Sequence, residues 1–178
     1  MFLEKLKHIK AFILDIDGVL TDATVLVTES GEQLRRFNVR DGYAMQLAVK
    51  KGFKVCAISG GKSASVVSRL NGLGITDVYL GVDKKLDVYN DFLAQHNLQK
   101  QDIIYMGDDI PDLPVLKEAG LPVCPADAVE EVKAVCEYIS PFSGGAGCVR
   151  DVMEKVLKLQ NSWYDADPSA HDDSITST

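Results

Sequence analysis

Short apolar runs alternate with longer amphipathic stretches along this chain. Ala11–Leu14 is apolar and β-prone, the pattern of a strand buried on both faces. It ends in Asp15 and Asp17, with Gly18 next. Phe53–Ile58 predicts a second buried strand, followed directly by Ser59, Gly60 and Gly61. Asp77–Leu80 and Asp102–Met106 predict two more, the latter running into Gly107-Asp-Asp-Ile-Pro-Asp112, and Leu121–Cys124 and Tyr138–Ile139 complete the set. Helical spacing falls between the strands. It predicts helices over Gly42–Lys51 with Asp41 as N-cap, Ser63–Leu73, Lys84–His96, Asp112–Ala119, Ala126–Cys136 and Cys148–Leu159. Strands alternating with helices imply an α/β fold, a Rossmann-like doubly wound parallel sheet with helices on both faces. Thr24–Val27 and Gln33–Phe37 flank a glycine-containing turn, so about 21–38 reads as a β-hairpin flap. Residues 1–160 form one domain by this reading, and 161–178, which carries Asp, Ser, Thr and Pro with little apolar content, a mobile tail.

Composition narrows the function classes. A chain of 178 residues with 46% hydrophobic residues has enough apolar material for one sizeable core. A net charge of −7 disfavours wrapping nucleic acid, and obliges any anionic substrate to be met by local cations or a metal. Cys56, Cys124, Cys136 and Cys148 have no paired metal spacing and read as buried thiols of a reducing compartment. Met1–Lys10 is charged, and no run approaches the length of a membrane span, so the expectation is a cytoplasmic protein.

The chemistry concentrates at the strand ends, where open α/β sheets bind ligands. Asp15/Asp17, Ser59-Gly60, Lys85 and Asp108/Asp109 all follow a buried strand or begin the next helix. Asp15 and Asp17 suit a hard cation or a nucleophile beside an acid/base. Hydrolysis of a phosphate monoester explains all four features together. Acidic groups would repel a phosphate dianion unless Mg²⁺ sat among them. Ser59 and the Gly60 backbone N–H can donate to phosphoryl oxygens, and Lys85 supplies a point charge.

Asp15-Ile-Asp-Gly-Val, the Ser59 turn, Lys85 and Gly107-Asp-Asp-x-x-Asp resemble the motifs of haloacid-dehalogenase-type phosphatases. Phe37-Asn-Val-Arg-Asp-Gly-Tyr43, Leu73-Gly-Ile-Thr76 and Gly144-Gly-x-Gly-x-Val-Arg150 are further similar to the cap-less family of 3-deoxy-D-manno-octulosonate 8-phosphate phosphatases, which serves lipopolysaccharide sugar synthesis. The resemblance implies that Asp15 is the nucleophile and Asp17 the general acid, then base. It implies Mg²⁺ held by Asp15, the Asp17 carbonyl and Asp108, with Asp109 and Asp112 supporting the site from behind. The chain departs from the family pattern at Gly61, where many relatives have Arg, and at Ala146, where the glycine-rich motif has Arg. Both departures remove positive charge, and Arg40 and Arg69 remain to meet a sugar acid, Arg69 across a subunit boundary.

Two rival readings stand beside this one: a phosphatase for a nine-carbon keto-deoxy sugar acid 9-phosphate, and a receiver-like phosphoacceptor. Gly61 and Arg40 favour the octulosonate, and Asp17, an acid/base two residues from the nucleophile, argues against a long-lived phospho-Asp. Asp15 to Ser59 is 44 residues and Ser59 to Lys85 is 26, too few in either interval for a cap domain. The apolar hairpin residues Val25, Leu26, Val27, Leu34 and Phe37 therefore predict a homotetramer in which a neighbouring copy covers the site.

Overall fold

The computed structural model describes residues 2–164. A short helix α1 (Phe2–Leu6) leads into β1 (Ala11–Asp15), and a wide turn over Ile16–Leu20 follows. A two-stranded hairpin, β2 (Leu26–Val27) and β3 (Gln33–Leu34), precedes α2 (Val39–Lys50). Then come β4 (Lys54–Ile58), α3 (Ala64–Gly72), β5 (Asp77–Tyr79), α4 (Lys85–His96) and β6 (Ile103–Met106). The chain ends with α5 (Leu113–Leu116), β7 (Leu121–Cys124), α6 (Glu130–Lys133), β8 (Tyr138–Ile139) and α7 (Cys148–Leu159). Six strands form one sheet in the order β5-β4-β1-β6-β7-β8, and every pairing in it is parallel. The predicted doubly wound sheet is the observed one.

The reason lies in how β1 divides its side chains. Phe12 and Leu14 enter one core with Met45 and Ala48 of α2 and Val152 and Val156 of α7. Ala11 and Ile13 point the other way, into a second core with Tyr89 and Phe92 of α4 and Val115 and Leu116 of α5. A strand with apolar residues on both faces must be covered on both. Each fully buried large side chain contributes about 1.5–3 kcal/mol, so these two cores fix β1 as the central strand. After β1 the sheet grows first through β4 and β5, then on the other side through β6, β7 and β8. That reversal opens a crevice at the carboxyl end of β1.

Several boundaries differ from the sequence expectation. Asp41 does not cap α2. Asn38 does, its side chain accepting hydrogen bonds from the backbone N–H groups of Arg40 and Asp41, so the helix starts at Val39. Asp41, buried inside the first turn, instead accepts from the backbone N–H of Arg150 at 2.8 Å. It therefore caps α7, whose own N-cap, Gly147, has no side chain to offer. The predicted helix over Asp112–Ala119 is a 3₁₀ turn (Ile110–Asp112) followed by the short α5. The tighter turn lets the Asp112 carboxylate reach back to the N–H groups of Asp108 and Asp109. The predicted helix over Ala126–Cys136 contracts to α6, because Val129 gives its N–H to the Asp108 carbonyl at 3.0 Å and no helix can form before it. The hairpin is present with strands of two residues each. Trp163 packs against Tyr43 and under the Arg150 guanidinium, while 165–178, the bulk of the expected tail, lie outside the described residues.

Candidate active site

Sheet register assembles the site. Asp15 pairs with Ile58 across β1 and β4, which sets Ser59 beside the end of β1. Leu14 pairs with Met106 across β1 and β6, which brings Gly107 and Asp108 alongside on the other flank. Lys85, the first residue of α4, reaches in from below and is buried. Its Nζ donates to Asp15 Oδ1 at 2.6 Å and to Asp112 Oδ1 at 2.8 Å. Ser59 is buried as well, and its Oγ accepts from the Gly61 N–H at 3.0 Å, while Gly60 is exposed at the rim.

Asp15, Asp108 and Asp112 each place a carboxylate oxygen within 4.8 Å of the others. Asp112 is fully engaged. Its Oδ1 accepts from Lys85 and from the Tyr105 hydroxyl at 2.6 Å, and its Oδ2 from the N–H groups of Asp108 at 3.0 Å and Asp109 at 3.4 Å. Asp112 is thus the brace of the cluster. Asp109 is exposed and caps the 3₁₀ turn through the Ile110 N–H.

Asp15 and Asp108 are left short of positive charge. Burial first, then the neighbouring Asp112 carboxylate, pushes the Asp15 carboxyl up to about 6 despite Lys85. Burial first, then Asp15 and Asp112, pushes Asp108 up to about 8. Burial also pulls the Lys85 ammonium down, but the Asp15 and Asp112 carboxylates outweigh it and hold Lys85 above its ordinary value. One ammonium shared by the buried Asp15 and Asp112 carboxylates stays charged and still leaves the half-buried Asp108 uncompensated. Asp108 Oδ1 is buried with no hydrogen-bond partner. A pair of hard oxygen donors with an orphaned lone pair and unmet negative charge fits a divalent cation that prefers oxygen.

The turn after β1 is shaped to this purpose. Gly18 has φ +102°, and a Cβ there would lie 2.0 Å from Asp108 Oδ2, so only glycine lets the turn pass the carboxylate. The glycine-rich loop braces that turn. A Cβ on Gly144 would lie 2.0 Å from the Gly18 carbonyl, and the Gly145 N–H donates to the Val19 carbonyl at 3.0 Å.

Asp17 meets a residue that the sequence did not single out. Arg35, just past β3, donates from Nε to Asp17 Oδ1 at 2.6 Å and from Nη2 to Oδ2 at 3.4 Å. Arg40 and Arg69 lie elsewhere. Arg40 is exposed beside a cleft of about 960 Å³ shared with Arg36, Phe142, Ala146, Arg150 and Lys155, and none of Asp15, Asp17, Ser59, Lys85 or Asp108 lines it. The Arg69 guanidinium rests against Gly42 of α2, 2.7 Å from where a Cβ would stand.

Comparison with known proteins gives this geometry a context. Residues 71–150 match a family model described as haloacid dehalogenase-like hydrolase. The chain is 37% identical over 162 residues to the 3-deoxy-D-manno-octulosonate 8-phosphate phosphatase of Escherichia coli K12, covering 91% of this chain and 86% of that one. Its fold is similar to the enzyme of that name from Moraxella catarrhalis, solved with magnesium, phosphate and KDO, with a TM-score of 0.87 and 35% identity over 90% and 92% of the two chains. It is also similar to the cobalt-bound Haemophilus influenzae phosphatase, with a TM-score of 0.85 and 32% identity over 89% and 93%.

Proposed function

Because the chain belongs to the 3-deoxy-D-manno-octulosonate 8-phosphate phosphatase family of haloacid dehalogenase-like hydrolases, we propose that it hydrolyses that sugar acid phosphate, with Mg²⁺, through an aspartyl-phosphate on Asp15. The product would be 3-deoxy-D-manno-octulosonate for lipopolysaccharide synthesis. The observation that carries the reading is the cluster of Asp15, Lys85, Asp108 and Asp112 at the strand ends, with Ser59 on the adjacent strand tip.

In this reading each residue has one task. Lys85 orients the Asp15 carboxylate for attack on phosphorus and offsets negative charge beside it. Ser59 Oγ and the Gly60 N–H receive phosphoryl oxygens. Asp17 gives a proton to the departing sugar hydroxyl, then takes one from the water that attacks phosphorus and frees Asp15. Asp15, Asp108 and the Asp17 carbonyl would hold Mg²⁺, with Asp112 and Asp109 supporting that loop from behind. The bound ion would act as a Lewis acid toward a phosphoryl oxygen.

Arg40, at the cleft beside the glycine-rich loop, and Arg69 are the candidates for the sugar acid carboxylate or hydroxyls, Arg69 in a neighbouring copy. We also infer a homotetramer working in the cytoplasm. The exposed hairpin side chains Leu26 and Val27 support the first, and the free thiols Cys56, Cys124 and Cys148, all buried, support the second.

A panel of sugar phosphates and p-nitrophenyl phosphate, assayed with Mg²⁺ and with EDTA, tests the reading. The octulosonate 8-phosphate should have the highest kcat/KM, and EDTA should abolish turnover. A stoichiometric burst without turnover, or preference for the nine-carbon homologue, would contradict it.

A further inference from the structure

We propose that Arg35 is a positioning residue for Asp17, and that through it the exposed hairpin governs the acid/base step; the proposal rests on the phosphatase reading above. Within one chain little of the hairpin's own apolar surface is buried. Leu26, Val27 and Leu34 are 66%, 63% and 46% exposed, yet the Arg35 side chain is only 7% exposed. It leaves the end of β3 and, with Ile16, Gly61, Ser63, Val66 and Leu80, lines a small cavity beside Asp17. Its guanidinium grips both oxygens of Asp17, whose side chain remains 34% exposed.

A carboxylate on a short side chain rotates readily about its last torsion. The planar guanidinium fork fixes carboxylate orientation in a way an ammonium cannot. Acid/base catalysis depends on that orientation, and a misplacement of about 1 Å can cost about 10²-fold in rate. Gly61 stands beside the grip. A Cβ there would already touch Arg35 Nη2, Asp17 Oδ2 and Ser59 Oγ, each at 3.4 Å, so a side chain branching beyond Cβ would compete with the guanidinium for space. Arg35 does not touch the reacting atoms in this account; it acts by holding the residue that does.

The test reads the single-turnover release of the leaving group by intact protein with Mg²⁺. One substrate is the best sugar phosphate of the panel, whose alcohol must be protonated. The other is p-nitrophenyl phosphate, whose phenolate departs without a proton. Arg35→Ala should slow release from the sugar phosphate by about 10- to 100-fold and from p-nitrophenyl phosphate by less than about 3-fold. Asp17→Asn should show the same selectivity, and adding Arg35→Ala to it should cost almost nothing more, because the two act as one unit. Arg35→Lys should recover part of the loss, and Gly61→Val should reproduce it by evicting the guanidinium. Equal losses on both substrates, or losses that multiply in the double variant, would overturn the proposal while leaving the phosphatase reading intact. A wild-type protein inactive on both substrates would overturn both.

Discussion

Buried carboxylates outnumber the cations that face them at this site, and that imbalance has a measurable consequence. Asp15 is held up at about 6 and Asp108 at about 8, each mainly by burial and then by its acidic neighbours. In an unfolded chain both ionise near pH ~4. Between about pH 4 and 8 the folded, metal-free protein therefore keeps protons that the unfolded chain has lost, and stability must fall as pH rises through that window. EDTA-treated wild type should lose more thermal stability between pH 5 and pH 8.5 than Asp108→Asn, and added Mg²⁺ should remove most of the difference. Parallel melting curves for the two proteins would count against the charge imbalance. The acidic residues and Lys85 were legible in the sequence because each stands directly after an apolar strand or at the first turn of a helix. Arg35 was not. Its partner is 18 residues away, and the link runs through a hairpin whose trajectory no periodicity records. Arg40 and Arg69 were chosen for their charge, and within one chain Arg40 borders a separate cleft while Arg69 rests against α2.

At the level of elements, the structure turns on caps exchanged between neighbours. Asn38 and Asp41 are both capping residue types, spaced three apart, and the sequence alone gave no reason to prefer Asn38 for α2. The choice is tertiary: α2 and α7 pack side by side, and Asp41 is needed at the N-terminus of α7, where Gly147 offers no side chain. Asp41→Ala should cost about 1–2 kcal/mol, since it leaves the buried N–H end of α7 without its acceptor. Asp41→Asn, which keeps an acceptor, should cost less. Denaturant titration checks both, and equal stability of Asp41→Ala and wild type would refute the shared cap. The six strands of the main sheet were read almost to the residue, because a two-faced apolar run has few alternatives, whereas the exposed hairpin strands were overestimated. The short helices α5 and α6 were overestimated: α5 tightens at its end, where the Glu118 N–H donates three residues back to Val115, and the Val129 N–H is diverted to the Asp108 carbonyl rather than to a helical partner.

For the molecule as a whole, the strand order puts the site at the reversal point of the sheet, and the chain connections are too short to cover it. The hairpin is the projecting element between β1 and α2, and its residues Val25, Leu26, Val27 and Leu34 face outward while Phe37 packs against the core. Sedimentation at micromolar protein should give a species near four times 19.4 kDa; an active monomer would contradict the homotetramer. Every step of the catalytic account passes through Asp15 as the carrier of the phosphoryl group, and this can be read directly. Protein mixed with the octulosonate 8-phosphate and Mg²⁺ is quenched in acid within one turnover, reduced with borohydride to trap any acyl phosphate, and digested for mass spectrometry. Reduction is expected at Asp15 alone, lost in Asp15→Asn, and increased in Asp17→Asn when the phosphoryl donor is p-nitrophenyl phosphate, whose phenolate needs no proton. Reduction at another carboxylate, or turnover with no trapped residue in any of the three proteins, would contradict Asp15 as the carrier.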